Sequence, residues 1–424
     1  VANPAIIELH DVALRCAAAG GALIESPGHA LITPRGIITG TEARARAWLE
    51  PQHSFDQHWQ QLGLGALPAN NKHARHFADL AHAQLLHLHG AAGQPERVIF
   101  AVPGNLDRDR LAVLLGIANA SPFTVAGLID AALAATAHSA ARGEILHVDL
   151  LRHCAVLTRL RAGTEVERTE VQVLPEFGLN QLHELWARYI AERFIARHRY
   201  DPLDTGAGEQ ALRDALPGWL AELSARPEIG VQLPGPRGPL SLALSAAELA
   251  EPAAARYAQL ARATAAAGGD TLLLAAALDQ LPGIEAQIPG RRLGPEATVA
   301  GCLAHLEYIA ARPANVLITR LPAAATGRPP ARPRAQPTHV LWRHRAHALG
   351  TGLVIDWRQG ALTLRPPERE PGADTAAPHL AFTAGRLVLG GECGELEVEG
   401  DAADLRIGAR LRIGDEVLEL IEVL

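Results

Sequence analysis

The 424-residue chain has little cysteine, no basic excess and no long apolar run, and each shortage excludes something. Its four cysteines, Cys16, Cys154, Cys302 and Cys393, stand far apart and form no Cys-x-x-Cys pair. That spacing argues against a disulfide framework or a cysteine zinc site and points to reduced thiols in a cytoplasmic protein. Lys and Arg number 39 against 46 Asp and Glu, a formal net charge of −7. Nucleic-acid binders concentrate basic charge to release counterions, so this balance predicts no nucleic-acid partner. No apolar run reaches the ~20 residues that span a bilayer. The longest, TLLLAAAL at 271–278, ends at Asp279. Near the start, Glu8, His10 and Asp11 interrupt what would be the apolar part of a signal peptide, so none is expected.

What is present describes a globular chain: 48% hydrophobic and 20% charged residues. The length suggests two or three domains with cores large enough to need no disulfide or metal staple. Nineteen histidines raise the question of a metal. The densest set, His73, His76, His82, His87 and His89, contains no His-Glu-x-x-His and no Cys or carboxylate at zinc spacing, so it reads as a solvated helix face.

Short β-type runs broken by Gly pairs and Pro-Gly open the chain (AIIELHD, VALRCAAAGG, ALIESPGHALIT, GIITG) and predict antiparallel hairpins. Helical patterning follows in TEARARAWLE, with Thr41 as N-cap, and at 73–90. RVIFAVPG (97–104) reads as a buried strand ending in a turn. Residues 105–121 read as a helix capped at Asn105, with Leu111, Leu114, Leu115 and Ala118 on one face. TVAGLIDAALAATAHSA (124–140) reads as another helix, HVDLLRHCAVLTRL (147–160) as a buried strand carrying Asp149, and 164–178 as a strand pair. A long amphipathic helix after Gly178 turns Leu182, Leu185, Tyr189, Phe194 and His198 inward. Residues 208–265 read as mostly helical, broken at PGPRGPLSLALS (234–245). A strand and turns follow at 269–289, and a helix at 295–311.

The composition changes after Pro322. Residues 322–338 are rich in Pro and hold Arg328, Arg332 and Arg334, which predicts a stiff, solvated linker. From 339 to 424 the chain shows short alternating strands at regular spacing with Gly turns, the pattern of a small all-β sandwich.

The strand–helix order across 1–321 resembles that of the actin, DnaK-type heat-shock chaperone and sugar-kinase superfamily, and seven landmarks fall in its order. IIELHD stands where the first phosphate hairpin begins. RVIFAVPGNLDRDRLAVLLGIANA is similar to the chaperone's strand, Val-Pro turn and following helix, and TVAGLIDAALAAT to the first connecting helix. HVDLLRHCAVLTRL is similar to the second phosphate strand, and LNQLHELWARYIAERFIARHRYDP to the helix after the second-lobe hairpin. LLLAAALDQLPGIEAQIP resembles the adenosine loop, and PEATVAGCLAHLEYI the final connecting helix. The resemblance implies an α/β, two-lobed actin-like (ribonuclease H-like) ATPase fold over 1–321, joined by the 322–338 linker to the 339–424 sandwich.

In that superfamily two Gly-containing hairpins press backbone N–H groups against the phosphates, and carboxylates hold the metal and its waters. The resemblance places Glu8, Asp11, Asp149, Arg152, His153, Ala276 and Ala277 at the corresponding positions, with Asp149 holding a metal through water. Each of the four sites departs from the pattern, although an acid is kept at Glu8 and Asp149 stands where the Asp of the metal's water belongs. The first hairpin reads Glu8-Leu9-His10-Asp11, with His for Gly and a second acid where phosphate would sit. Gly127 stands at the chaperone's catalytic Glu, with Asp130 out of register. Leu151-Arg152-His153 replaces the second Gly run, and Ala276-Ala277 the Gly pair of the adenosine loop, although Pro282 and Gly283 remain. Side chains of Arg152 and His153 would have to replace backbone contacts to phosphate.

The C-terminal sandwich resembles forkhead-associated domains through LRIGARLRIGDEVLELIEV, yet it lacks their Gly-Arg, Ser-x-x-His and final Asn. That leaves a docking module without the usual phosphopeptide contacts. Together these resemblances imply a pseudo-ATPase that works as a scaffold or chaperone-like partner of other proteins, with ATP and Mg²⁺ compatible but not favoured. The alternatives are an active ATP-dependent chaperone or switch with unorthodox phosphate contacts, and a small-molecule kinase, for which no base Asp is evident. A DnaK-type chaperone would also need a helical lid, which this tail lacks.

Overall fold

The computed structural model describes residues 3–68, 71–175 and 177–323 and, within 337–421, the strands and residues beside them. The expected linker lies mostly outside the described residues, as does Cys393. The chain is mixed α/β and divides into two compact units, 1–329 and 330–424. No described helix is long and apolar enough to cross a membrane.

Two six-stranded sheets of the larger unit share an order over five strands and differ in the sixth. In the first, Ala5–Glu8, Ala13–Ala17 and Ile24–Pro27 form an antiparallel series. Arg97–Val102, Thr124–Asp130 and Leu317–Ile318 then add parallel strands on the free side of Ala5–Glu8. In the second, Gly143–Leu150, Ala155–Ala162 and Glu165–Leu174 form the antiparallel series. Thr271–Leu274 and Arg291–Arg292 are its parallel additions, and Arg320–Pro322 borders the opposite edge.

Two Ala-rich helices, Ala131–Ser139 and Ala297–Ala304, pack with both sheets. One buried cluster takes Ile6, Ile99 and Ile129 from the first sheet, Ile145, Leu160 and Leu273 from the second, and Ala134, Val299 and Cys302 from the helices. Small side chains let these elements approach closely. A Cβ at Gly301 would stand 2.0 Å from the Ala134 carbonyl oxygen, so only glycine fits there. The other face of the first sheet is covered by Phe77–Ala91 and Arg108–Asn119. That of the second is covered by Leu179–His198, Gly206–Ala225 and Ala246–Ala267.

Several elements differ from the sequence-based expectation. TVAGLID is a buried strand, and the helix begins only after Asp130, whose carboxylate accepts the Leu133 N–H at 2.8 Å. An apolar, Ala-rich run satisfies strand and helix templates alike, and here placement inside a sheet decides. The 108–119 helix is capped by Asp107, not Asn105, and the 77–91 helix starts at a His76–Asp79 capping box. The helix at Thr41 is a single turn, Thr41–Arg44, entered from Gly40, so Thr41 is its first residue and not its cap. Residues 164–178 give one strand, paired with Ala155–Ala162, instead of a pair of their own. The presumed break at 234–245 belongs to a hairpin, Glu228–Gly235 with Gly238–Ser245. The helix at 295–311 is divided at His305. On the long helix, Trp186 and Ile190 join Leu182 and Phe194 in the core, while Leu185 and Tyr189 are only half-buried. In the 73–89 histidine set His89 is buried and its Nε2–H donates to the Pro95 carbonyl, so the face is not wholly solvated.

In the smaller unit two antiparallel sheets share one apolar core. His339–Trp342, Arg345–Ala348, Leu396–Glu399, Arg410–Ile413 and Glu416–Ile421 form one sheet. Gly352–Arg358, Ala361–Arg365, His379–Thr383 and Arg386–Gly390 form the other. Val340, Leu411, Leu418 and Leu420 of the first pack with Ile355, Leu380 and Leu387 of the second.

Helix propensity alone favours Ala over Gly in a helix by about 1 kcal/mol. The approach to Ala134 reverses that sign: Gly301→Ala is expected to destabilise the chain by about 1–3 kcal/mol in denaturant unfolding.

Candidate functional site

Strand alternation builds the site. In the first strand Ala5, Ile7 and Leu9 face the outer helices, while Ile6 faces the helix pair, so Glu8 and His10 continue the inward face. In Gly143–Leu150, Leu146, Val148 and Leu150 face outward and Ile145 inward, so His147 and Asp149 continue that face. Beyond the apolar helix contacts, the two inward faces therefore end in acids and histidines.

These ends touch. His10 Nε2 lies 3.1 Å from Asp149 Oδ1, which also accepts the Leu150 N–H at 2.9 Å. Burial opposes charge on both residues, but the pairing outweighs it. The carboxylate raises the His10 pKa, and the His10 charge and hydrogen bond pull the Asp149 carboxyl down to about 2. Next to this pair, Asp11 Oδ1 accepts the Arg152 backbone N–H at 2.7 Å, and Arg152 Nε donates to the Asp11 carbonyl at 3.3 Å. Burial pushes the Asp11 carboxyl above its ordinary range, against the pull of His10 and the Arg152 N–H. Glu8 is held by Arg15 Nη1 at 3.3 Å, whose Nε also reaches Glu25 at 2.8 Å; the three residues sit opposite one another in adjacent strands.

The second turn is fixed from below by the 179–198 helix. The Leu179 and Asn180 N–H groups donate to the Leu151 and Arg152 carbonyls at 3.0 and 2.9 Å. A Cβ at Gly178 would stand 2.5 Å from the Arg152 carbonyl oxygen. The helix N-terminus, elsewhere a ready anion site, spends these donors on the turn itself. Arg152 Nη1 donates to Asn180 Oδ1 at 2.9 Å, and His153 Nε2 lies 3.0 Å from the Asp56 carbonyl. Asp56 also faces the His153 ring and the Asn180 amide. Burial resists its charge, but His153 and Arg152 hold its carboxyl well below the usual range.

The residues singled out by resemblance thus divide among four spaces. Glu8, Asp149, Ala276 and Ala277 line a cavity of ≈ 20 Å³, room for a water molecule and not for a phosphate chain. Arg152, with Ala276 and Ala277 again, lines a separate cavity of ≈ 550 Å³. Asp11 borders a cavity of ≈ 10 Å³, and His153 an open one of ≈ 740 Å³ shared with Asp56, Asn180 and Arg213. Gly127 lies within a strand, where a Cβ would meet the Ile309 side chain at 2.5 Å, and Asp130 is committed to its helix cap and to Arg168 at 2.8 Å.

The donors around Asp149 do not suit a metal held through water. Its carboxylate is bonded to His10 and a backbone N–H, and Glu8 is bonded to Arg15. Among the described residues no group of three His, Cys, Asp or Glu is arranged to hold a metal ion.

Other site residues carry no local signal. Arg44, Trp48, Asp56, Asn180, His183 and Arg213 come from distant segments, brought together when Gln210 bonds the Arg44 carbonyl at 2.9 Å and the Trp48 N–H at 3.0 Å. Gln84, within the histidine-rich helix, similarly gathers His58, Trp59 and Ser26 at 2.8, 2.8 and 2.9 Å.

The His10–Asp149 pair makes a pH prediction. A raised His pKa stabilises fully below the unfolded value of 6.5 and is lost as pH rises through the folded value. The lowered Asp149 pKa stabilises above 3.8 and is lost as pH falls toward about 2. The unfolding free-energy difference between wild type and His10→Ala should therefore be largest near about pH 5–6, at about 3 kcal/mol, and shrink toward about pH 9.

No protein-family model matches the chain, and no curated protein does.

Proposed function

We propose that residues 1–321 adopt a two-lobed, actin-like ATPase-type architecture whose phosphate site is closed, and that the protein acts as a scaffold or chaperone-like partner of other proteins. The observation that carries this reading is the direct contact of the two hairpin turns. His10 on Asp149 and Asp11 on Arg152 take the place where a phosphate chain would lie between them. Further support comes from the shared order of the two sheets, each an antiparallel three-strand series followed by parallel additions, with a close helix pair against both. The departures at all four motifs point the same way. A lost glycine on one side can be met by a shifted ligand, but close approach is absent on both sides here.

The unit at 330–424 is read as a forkhead-associated-like docking module, on its two antiparallel sheets and the closing hairpin turned at Gly414. One observation favours the second reading, a nucleotide-dependent switch: the ≈ 550 Å³ cavity beside Ala276 and Ala277. It would require the phosphates to be held by side chains alone.

Mg·ATP at about 1 mM is expected to leave the melting temperature of the whole chain within about 1 °C, because only binding to the folded state raises it. A rise of several degrees, abolished by Asp149→Ala, would establish the switch instead.

A further inference from the structure

The cavity of ≈ 550 Å³ is the size of a small-metabolite site. Arg44, Arg152 and Arg213 line it, together with the side chains of His29 and His183. The carboxylates that border it, Glu25 and Asp279, are taken by Arg15 at 2.8 Å and Arg292 at 3.1 Å. Arg213 is held by Glu209 at 3.0 Å and by Glu184, with its guanidinium 5.4 Å from the Trp48 ring centre. Arg152 is fixed by Asn180 and lies 3.8 Å from Asp56.

Arg44 is different. No hydrogen bond or ion pair within 4 Å engages its guanidinium among the described residues, and its charge is offset only at longer range by Asp214, which is itself bonded to Gln210 at 3.0 Å. Two histidine nitrogens nearby, His183 Nε2 and the Nδ1 of His29, are also without partners, but both are sealed from the cavity surface. An unpaired guanidinium at the wall of a cavity is suited to something that supplies acceptors.

We propose that this cavity binds a phosphate-bearing small molecule without a metal ion, its phosphate held by Arg44 with Arg152 and Arg213 beside it. It rests on the reading above only in that the closed turns leave this cavity open beside them. Guanidinium forks match phosphate oxygens in pairs, and Arg44 supplies a positive charge that no carboxylate among the described residues pairs with, so the site does not call for Mg²⁺. The histidines beside these guanidinium groups are neutral. Burial, then the charge of Arg152, lowers both, with Arg213 and Arg44 adding at His183, whose pKa falls to about 3. A neutral imidazole adds no further like charge to the cluster.

The test is calorimetric titration of the full chain in EDTA with pyrophosphate, then with AMP and with a hexose phosphate. Saturable pyrophosphate binding is expected, weakened about tenfold or more in Arg44→Gln and unchanged in Arg161→Gln, which removes the same charge from an exposed strand position. If AMP or the hexose phosphate binds more tightly than pyrophosphate, that compound class is the ligand; if neither does, the site is one for inorganic phosphates. Absence of saturation, equal affinity in wild type and Arg44→Gln, or binding that appears only with Mg²⁺ would overturn the proposal. Mg·ATP binding lost in Asp149→Asn is a separate outcome. It contradicts the closed phosphate site and leaves metal-free pyrophosphate binding to be judged by its own titration.

Discussion

The hydrogen bonds joining the 9–12 turn to the 151–154 turn decide what the space between the two sheets can hold. His10 reaches Asp149, and Asp11 receives the Arg152 N–H, so each turn satisfies polar groups of the other. Two consequences follow from burial. Paired, the groups stabilise one closed arrangement; separated, each would leave a buried charge or donor without a partner, which is far more costly than the pair is favourable. Opening this contact to admit a ligand would incur that cost twice.

The same contact explains why the site is divided. On one side remains a space for a single water, walled by Glu8, His147 and Asp149. On the other lies the larger arginine-lined cavity, whose shape depends on Gln210 tying the 44–48 segment to the 206–225 helix. The close helix pair at Gly301 sets the spacing behind both, since it packs with the inner faces of the two sheets.

Much of the framework can be read from local pattern. Alternation in IIELH and ILHVDL places Glu8, His10, His147 and Asp149 on inward faces, and the Gly turns mark the hairpins. Where the pattern fits two templates, reading fails: TVAGLID could be strand or helix, and only its place between Arg97–Val102 and Leu317–Ile318 decides. PGPRGP looks like a break but turns a hairpin. The site itself is less legible. Asp149 and Arg152 stand out beside an expected phosphate strand, whereas Arg44, Asp56, His183 and Arg213 meet across more than a hundred residues of sequence, and no spacing announces them. Nor does the sequence indicate that His10 pairs with Asp149, because that contact depends on two sheets facing each other.

The central claim is that the two turns are bonded to each other and closed to phosphate. Amide hydrogen exchange over residues 8–12 and 149–154, with and without Mg·ATP, addresses it most directly. The account predicts slow exchange at the Arg152 N–H, which Asp11 accepts, and no change on adding nucleotide. Fast exchange there, or protection of both turns that appears only with Mg·ATP, would contradict it.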